Sequence, residues 1–204
     1  MIDVEGWAMR ILLWVVGILV ALALGGYTYM GGFHTVEVKS EVFGPVEFAY
    51  AMHRGPYTKL SESWGGFMTK WAQAKLKTCL TMGVYLDKPD TPPEKLRALI
   101  GCRIDGWSEA DRAAARAAFP TAVLPEGPAL TSSFPFRNIA SFFFAPTRVY
   151  PVMAERMAQD KTEAVVTVEF YGSFESIQDI KFVIPLGADR APYQPLFDAF
   201  ESQK

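Results

Sequence analysis

Hydrophobic residues follow three different patterns along this chain. From Ile11 to Met30 they form one stretch, ILLWVVGILVALALGGYTYM, that no charge interrupts. At about 1.5 Å per residue a helix of this length crosses the roughly 30 Å hydrocarbon layer, which predicts a single transmembrane helix over residues 11–30. Trp7, Trp14, Tyr27 and Tyr29 lie toward its two ends, where aromatic rings favour the membrane interface. After residue 31 the continuous stretch gives way to period-two alternation, the mark of strands, exchanged with helical spacing.

Val46 to His53 reads as a strand, and Gly55-Pro56 then opens a helix in which Leu60, Trp64, Phe67, Trp71 and Ala74 recur on one face. Trp64 and Trp71 on that face read as core. Two strands follow, Thr78 to Leu86 and Leu96 to Ile104, joined through DKPDTPPE. A short helix, SEADRAAARAAF, carries a capping pair in Ser108 and Asp111. The strand, helix, strand, strand order then recurs as Ala129 to Phe136, Asn138 toward Gln159, Val165 to Tyr171 and Ile177 to Leu186. Pro146 and Pro151 are expected to bend or break the second long helix.

The reading is an α+β domain of duplicated β-α-β-β units, an antiparallel sheet under two helices, preceded by the membrane span. Its segments are an N-terminal flank (1–10), the span (11–30), the domain (31–186) and a short C-terminal tail (187–204). Within the domain, repeat one covers 36–105, a connector 106–128 and repeat two 129–186. Duplicated units create a cleft at their junction, a favoured place for a ligand.

Charge and cysteine content narrow the functional classes. Twenty basic against twenty-two acidic residues leave a net charge of −2, without the basic excess that nucleic-acid binding asks for. The two histidines and two cysteines form no HExxH or CxxC pattern, so no metal site or cofactor is expected. Cys79 and Cys102 fall in expected strands, either as small core residues or as an oxidised pair if the domain faces an oxidising compartment. Ala21-Leu22-Ala23 resembles a signal-peptide cleavage site, but the leading MIDVEGWAMR holds Asp3 and Glu5 against Arg10, where secretory leaders are positive. The anchor reading is preferred. The scattered basic residues around the span lean toward a cytoplasmic C-terminal domain.

Chemistry concentrates in VTVEFYG. On that strand Val165, Thr167, Glu169 and Tyr171 share one face, and Val166, Val168 and Phe170 the other. The apolar face should pack on helices, leaving Glu169 on either an exposed edge or a cleft. In a dry cleft its pKa rises, and a cationic ligand with an aromatic wall supplies the missing charge. Tyr171 and Tyr85 are the wall candidates. The HRGPY turn at His53 to Tyr57 is assigned a structural role. Phe142-Phe143-Phe144 cannot all face one side of a helix, which would leave one ring for a membrane or partner, but a plain buried helix is the preferred reading.

The runs EFAYAMHRGPYTKL, MGVYLDKPDTPPEKLRALIGCRI and VTVEFYG followed by FVIPL together resemble the gyrase-inhibitor-like (GyrI-like, SHS2-type) effector-binding domain. With the N-terminal anchor and TSSFPFRNIASFFFAPTRVYPVM, they look most similar to the branch that holds the testis-expressed ER-phagy receptor and its bacterial relatives. That receptor's long acidic tail has no match up to Lys204, so its activity is not carried over. The resemblance implies an aromatic pocket between the repeats with a glutamate that attracts lipophilic cations, and Glu169 is the matching residue.

The combined expectation is a membrane-anchored, non-enzymatic binding or adaptor module, in one form an accessory subunit of a larger membrane protein complex. Its ligand-binding residues are Glu169, Tyr171 and Tyr85, and its partners are the bilayer and a lipophilic or cationic small molecule. Two alternatives stand beside it: a hydrolase of strained lipophilic molecules with Glu169 as general base, and a membrane-linked small-molecule sensor.

Overall fold

The computed structural model describes residues 4–201 except 89, 174, 175 and 188, so the ends of the expected flank and tail lie outside it. In helix α1 (Val4–Tyr29) the residues from Trp7 onward are exposed, and only near its end does it meet the domain, through Tyr27. Its stretch Trp7–Tyr29 is 23 residues long, reaches a mean hydropathy of 2.3 over 18 of them, and is long and apolar enough to cross a membrane.

The remainder builds one antiparallel sheet of eight strands: β1 (Lys39–Phe43), β2 (Val46–Arg54), β3 (Leu80–Tyr85), β4 (Arg97–Arg103), β5 (Thr121–Leu124), β6 (Gly127–Pro135), β7 (Thr167–Ser173) and β8 (Asp179–Pro185). Spatial order is β1-β6-β8-β7-β3-β4-β2-β5. Because β1 runs into β2 and β5 into β6, the two ends of this order are continuations of strands already inside it. Phe43 pairs with Gly127 and Val46 with Leu124, one register carried across the corners Gly44-Pro45 and Pro125-Glu126. The sheet therefore curls back on itself. Gly44 makes the corner feasible: its φ is +87°, and a Cβ there would stand 2.6 Å from the Pro125 carbonyl oxygen.

Curling gives the sheet an inner and an outer face. The inner core draws on every strand, with Phe43, Phe48, Met82, Leu99, Leu124 and Val183 among its members. One end of it is closed by α5 (Gln194–Glu201), which inserts Leu196, Phe197 and Phe200. Arg54 donates to the Phe200 carbonyl at 2.9 Å, and the Arg190 guanidinium lies 3.4 Å from the Phe197 ring centre. Part of the segment expected as a plain tail thus completes the core.

Outside, α2 (Leu60–Gln73) and α3 (Glu109–Ala118) cover the first half through Phe67, Trp71, Ala115 and Phe119. The expected cap of α3 is present, with Ser108 Oγ accepting from the Asp111 amide at 3.2 Å. Helix α4 (Ser141–Asp160) covers the second half with Ala145, Val149 and Met153. It runs unbroken through Pro146 and Pro151, a departure from the expectation. The packed stripe Ser141, Ala145, Val149, Met153 holds it to the sheet and outweighs the two missing amide donors.

Cys102 lies in β4 as expected, whereas Cys79 falls just before β3 and outside any strand; the two are joined as a disulfide, their Cα atoms 5.6 Å apart. His53 is a structural residue of its turn: Nδ1 lies 2.8 Å from Ser63 Oγ, and Nε2 lies near the carbonyls of Gly55 and Pro56.

Candidate functional site

Strand β7 belongs to the second repeat and pairs with β3 of the first, so its outer face is the seam between them. Thr167, Glu169 and Tyr171 point outward there, and α2 and α4 close over them from opposite sides. The sequence reading left this face to solvent or a cleft and gave the helices to the apolar face. In the structure both faces are covered, Glu169 under α2 and α4, and Val166, Val168 and Phe170 in the inner core with α5. The reason is the curl, which gives the second face a core of its own.

The carboxylate of Glu169 is 6% exposed and sits in a cage of tyrosines. Tyr150 of α4 donates its hydroxyl to Oε1, and Tyr171 donates to Oε2 at 2.8 Å. The Tyr85 hydroxyl lies 2.6 Å from that of Tyr171 and, with Tyr171 committed to the carboxylate, donates to it. A ring shell surrounds this core: Tyr57 edge-on to Tyr85 at 4.9 Å, Phe142 to Tyr171 at 5.5 Å and Trp64 to Tyr171 at 6.0 Å. Tyr150 is braced against Phe182 at 5.4 Å.

Burial pushes the Glu169 carboxyl above its ordinary range, while hydrogen bonds from Tyr150, Tyr171 and Tyr85 pull it partly back. Burial also lifts Tyr85, Tyr150 and Tyr171 well above the usual phenol range, and the neighbouring Glu169 charge adds to it. The tyrosines therefore remain donors wherever Glu169 is ionised. None of the ion pairs among the described residues includes Glu169. It is a buried carboxyl held by neutral donors, and its ionised form costs free energy unless a cation completes it.

The structure brings Glu169, Tyr171 and Tyr85 together. Two further members escaped the sequence reading. Tyr150 reaches the cage because α4 bridges onto the seam; the available signal was its spacing of eight from Phe142, which puts both on one flank of the helix. Gly83 faces Glu169 across the β3–β7 pair, and a Cβ there would lie 3.1 Å from the Tyr171 hydroxyl and 3.3 Å from the Tyr85 ring. Its missing side chain leaves room for the cage. Trp64, read as core, stands half-buried at the rim, whereas Trp71 is core.

Two grooves lie away from the cage: one of about 450 Å³ at the end of the curl opposite α5, beside Phe43, Phe170, Arg103 and Lys181, and one of about 670 Å³ between the end of α1 and α4.

No family model matches the chain, and no curated protein does. Solved structures do. The C-terminal domain of EcmrR is similar with a TM-score of 0.53 at 11% identity, over 74% of this chain and 98% of that one. An integron cassette protein from Vibrio cholerae gives 0.51 at 12%, over 76% and 100%. EcmrR in its DNA complex gives 0.52 at 11%, over 90% and 70%. The fold is GyrI-like. The expectation of no nucleic-acid partner rests on charge balance alone, and the comparison lends it nothing, since the fold occurs in a protein bound to DNA.

Proposed function

We propose that this protein is a membrane-anchored, non-enzymatic binding module whose Glu169 cage admits a lipophilic cation. The observation that carries the reading is a buried carboxylate, ringed by aromatic side chains, without a cationic partner among the described residues. A cation with apolar substituents replaces lost hydration with attraction to the carboxylate and with ring contacts of about 0.5–2 kcal/mol each. Entry requires α2 and α4 to part, and the rim residues Trp64 and Phe142 are the side chains that such parting would move.

The test is calorimetric titration of the full-length protein in mild detergent with tetraphenylphosphonium and with a neutral tetraphenyl analogue. Expected are selective binding of the cation, weaker binding as acid neutralises Glu169, and loss of at least about tenfold in Glu169→Gln, equivalent to roughly 1.4 kcal/mol. Equal affinity of the variant, or of the neutral analogue, would reject the reading.

As general base for a hydrolase, Glu169 would need a water on its carboxylate, and its burial with hydrogen bonds already accepted from Tyr150 and Tyr171 favours binding over catalysis. The roles of adaptor, accessory subunit and sensor share this site and differ in what reads it; stoichiometric companions co-purifying in detergent would favour the subunit form. For sidedness, the Cys79–Cys102 disulfide fits an oxidising compartment, while the basic residues lean toward the cytoplasm.

A further inference from the structure

The contact between α1 and the domain has a consequence for how the domain sits. Tyr27 lies within the apolar stretch Trp7–Tyr29, yet its ring meets Phe144 of α4 edge-on at 5.9 Å and Phe33 at 5.1 Å. Asn138, just before α4, donates its side-chain amide to the Met30 sulfur at 3.5 Å. The first turn of α4 is therefore level with the end of the apolar helix. At this level three large apolar side chains point outward: Phe33, Ile139 and Phe143, exposed by 69%, 74% and 64%. Next to them the groove between α1 and α4 is lined by Tyr27, His34, Thr147 and Arg148. Arg148 Nε is buried there without a hydrogen-bond partner among the described residues, and Arg137 is exposed on the same turn as Ile139.

We infer that the first turn of α4 is a second membrane contact, with Phe33, Ile139 and Phe143 in the bilayer interface and Arg148 pairing with a lipid phosphate. This rests on the reading of α1 as a membrane span. Aromatic and aliphatic tips beside arginine match the chemistry of the headgroup boundary, where apolar parts enter and guanidinium groups stay at the phosphate level. The contact also ties the bilayer to the cage. Phe142, on the docked turn, packs on Tyr171, and Tyr150, two turns on, holds Glu169. A lipid surface that holds this turn constrains the helix that must move for a ligand to enter.

The test is electron paramagnetic resonance of the full chain in nanodiscs of phosphatidylcholine and phosphatidylglycerol. Single spin labels go at Phe143→Cys, at Val20→Cys in α1, and at Val123→Cys on the distant strand β5; all three native side chains are exposed. Relaxation by oxygen, which enriches in lipid, is compared with relaxation by a water-soluble nickel chelate. The inference expects the oxygen-to-nickel ratio at 143 to approach that at 20 and to exceed that at 123. It also expects Arg148→Gln to lower the ratio of docked to free domain about fivefold, the effect of losing one cation near an anionic surface. A label at 20 in lipid with a label at 143 as wet as that at 123 overturns the docking and leaves the anchor intact. A wet label at 20 overturns the anchor reading, and the docking with it. An unchanged ratio in Arg148→Gln overturns the phosphate contact.

Discussion

Glu169 and Phe170 are adjacent on one strand and nearly equal in burial, 6% and 5% exposed, yet they belong to different kinds of interior. Phe170 lies in the inner core, where Phe43 meets it edge-on at 6.0 Å. Glu169 lies on the outer seam, where hydroxyls and ring edges meet its carboxylate. The inner face stabilises the fold through apolar area removed from water. The outer seam buries a charge at a cost and keeps it in a defined place, which suits recognition better than stability. Burial alone therefore says little about what a position does; its partners decide.

The contrast is sharpest in substitutions that treat the two faces alike. Phe170→Ala should cost about 3–5 kcal/mol of stability, read by chemical denaturation, because it opens a cavity in a core that every strand shares. A loss below about 1 kcal/mol would mean that the inner face is not close-packed. On the seam, Gly83→Ala should cost about 1–3 kcal/mol by pushing a methyl against the Tyr171 hydroxyl and the Tyr85 ring. An unchanged unfolding midpoint would show that the tyrosines shift freely and that the cage is not rigid.

Acid titration separates the faces by sign. Since the folded-state pKa of Glu169 is raised, the folded protein holds its proton more tightly than the unfolded chain. The contribution is complete below the ordinary carboxyl range and is lost as pH rises through the elevated folded value, about 1.4 kcal/mol for each unit of elevation. Glu169→Gln should flatten that part of the stability profile, and identical pH profiles for wild type and variant would contradict the desolvated carboxylate. The smallest effect is expected at Val123→Ala, on an exposed strand away from both interiors, within about 0.5 kcal/mol.

Much of the secondary structure was legible because periodicity is local. Strands β2, β3, β4, β6, β7 and β8, the cap of α3 and the apolar helix all follow from spacing that neighbouring residues display. The short strands β1 and β5 were not foreseen. KSEVF and TAVL hold too few residues for a pattern, and they become strands only by continuing β2 and β6 around a corner. Helix α5 was missed for a related reason: Leu196, Phe197 and Phe200 need the mouth of the curled sheet before their spacing acquires a meaning.

For the site, sequence by itself determined the two-faced strand, the unusual carboxylate at its centre and the one tyrosine, Tyr171, that shares its face. It also determined an apolar helix long enough to span a bilayer, since that depends on length and hydropathy alone. Only the tertiary structure decided that Glu169 is enclosed, that Tyr150 reaches it and that Gly83 leaves the space. It also decided that Phe33, Ile139 and Phe143 meet at the foot of the anchor. These depend on pairings between residues far apart in the chain, and a side chain's pattern can show that it has a face without showing what that face will meet.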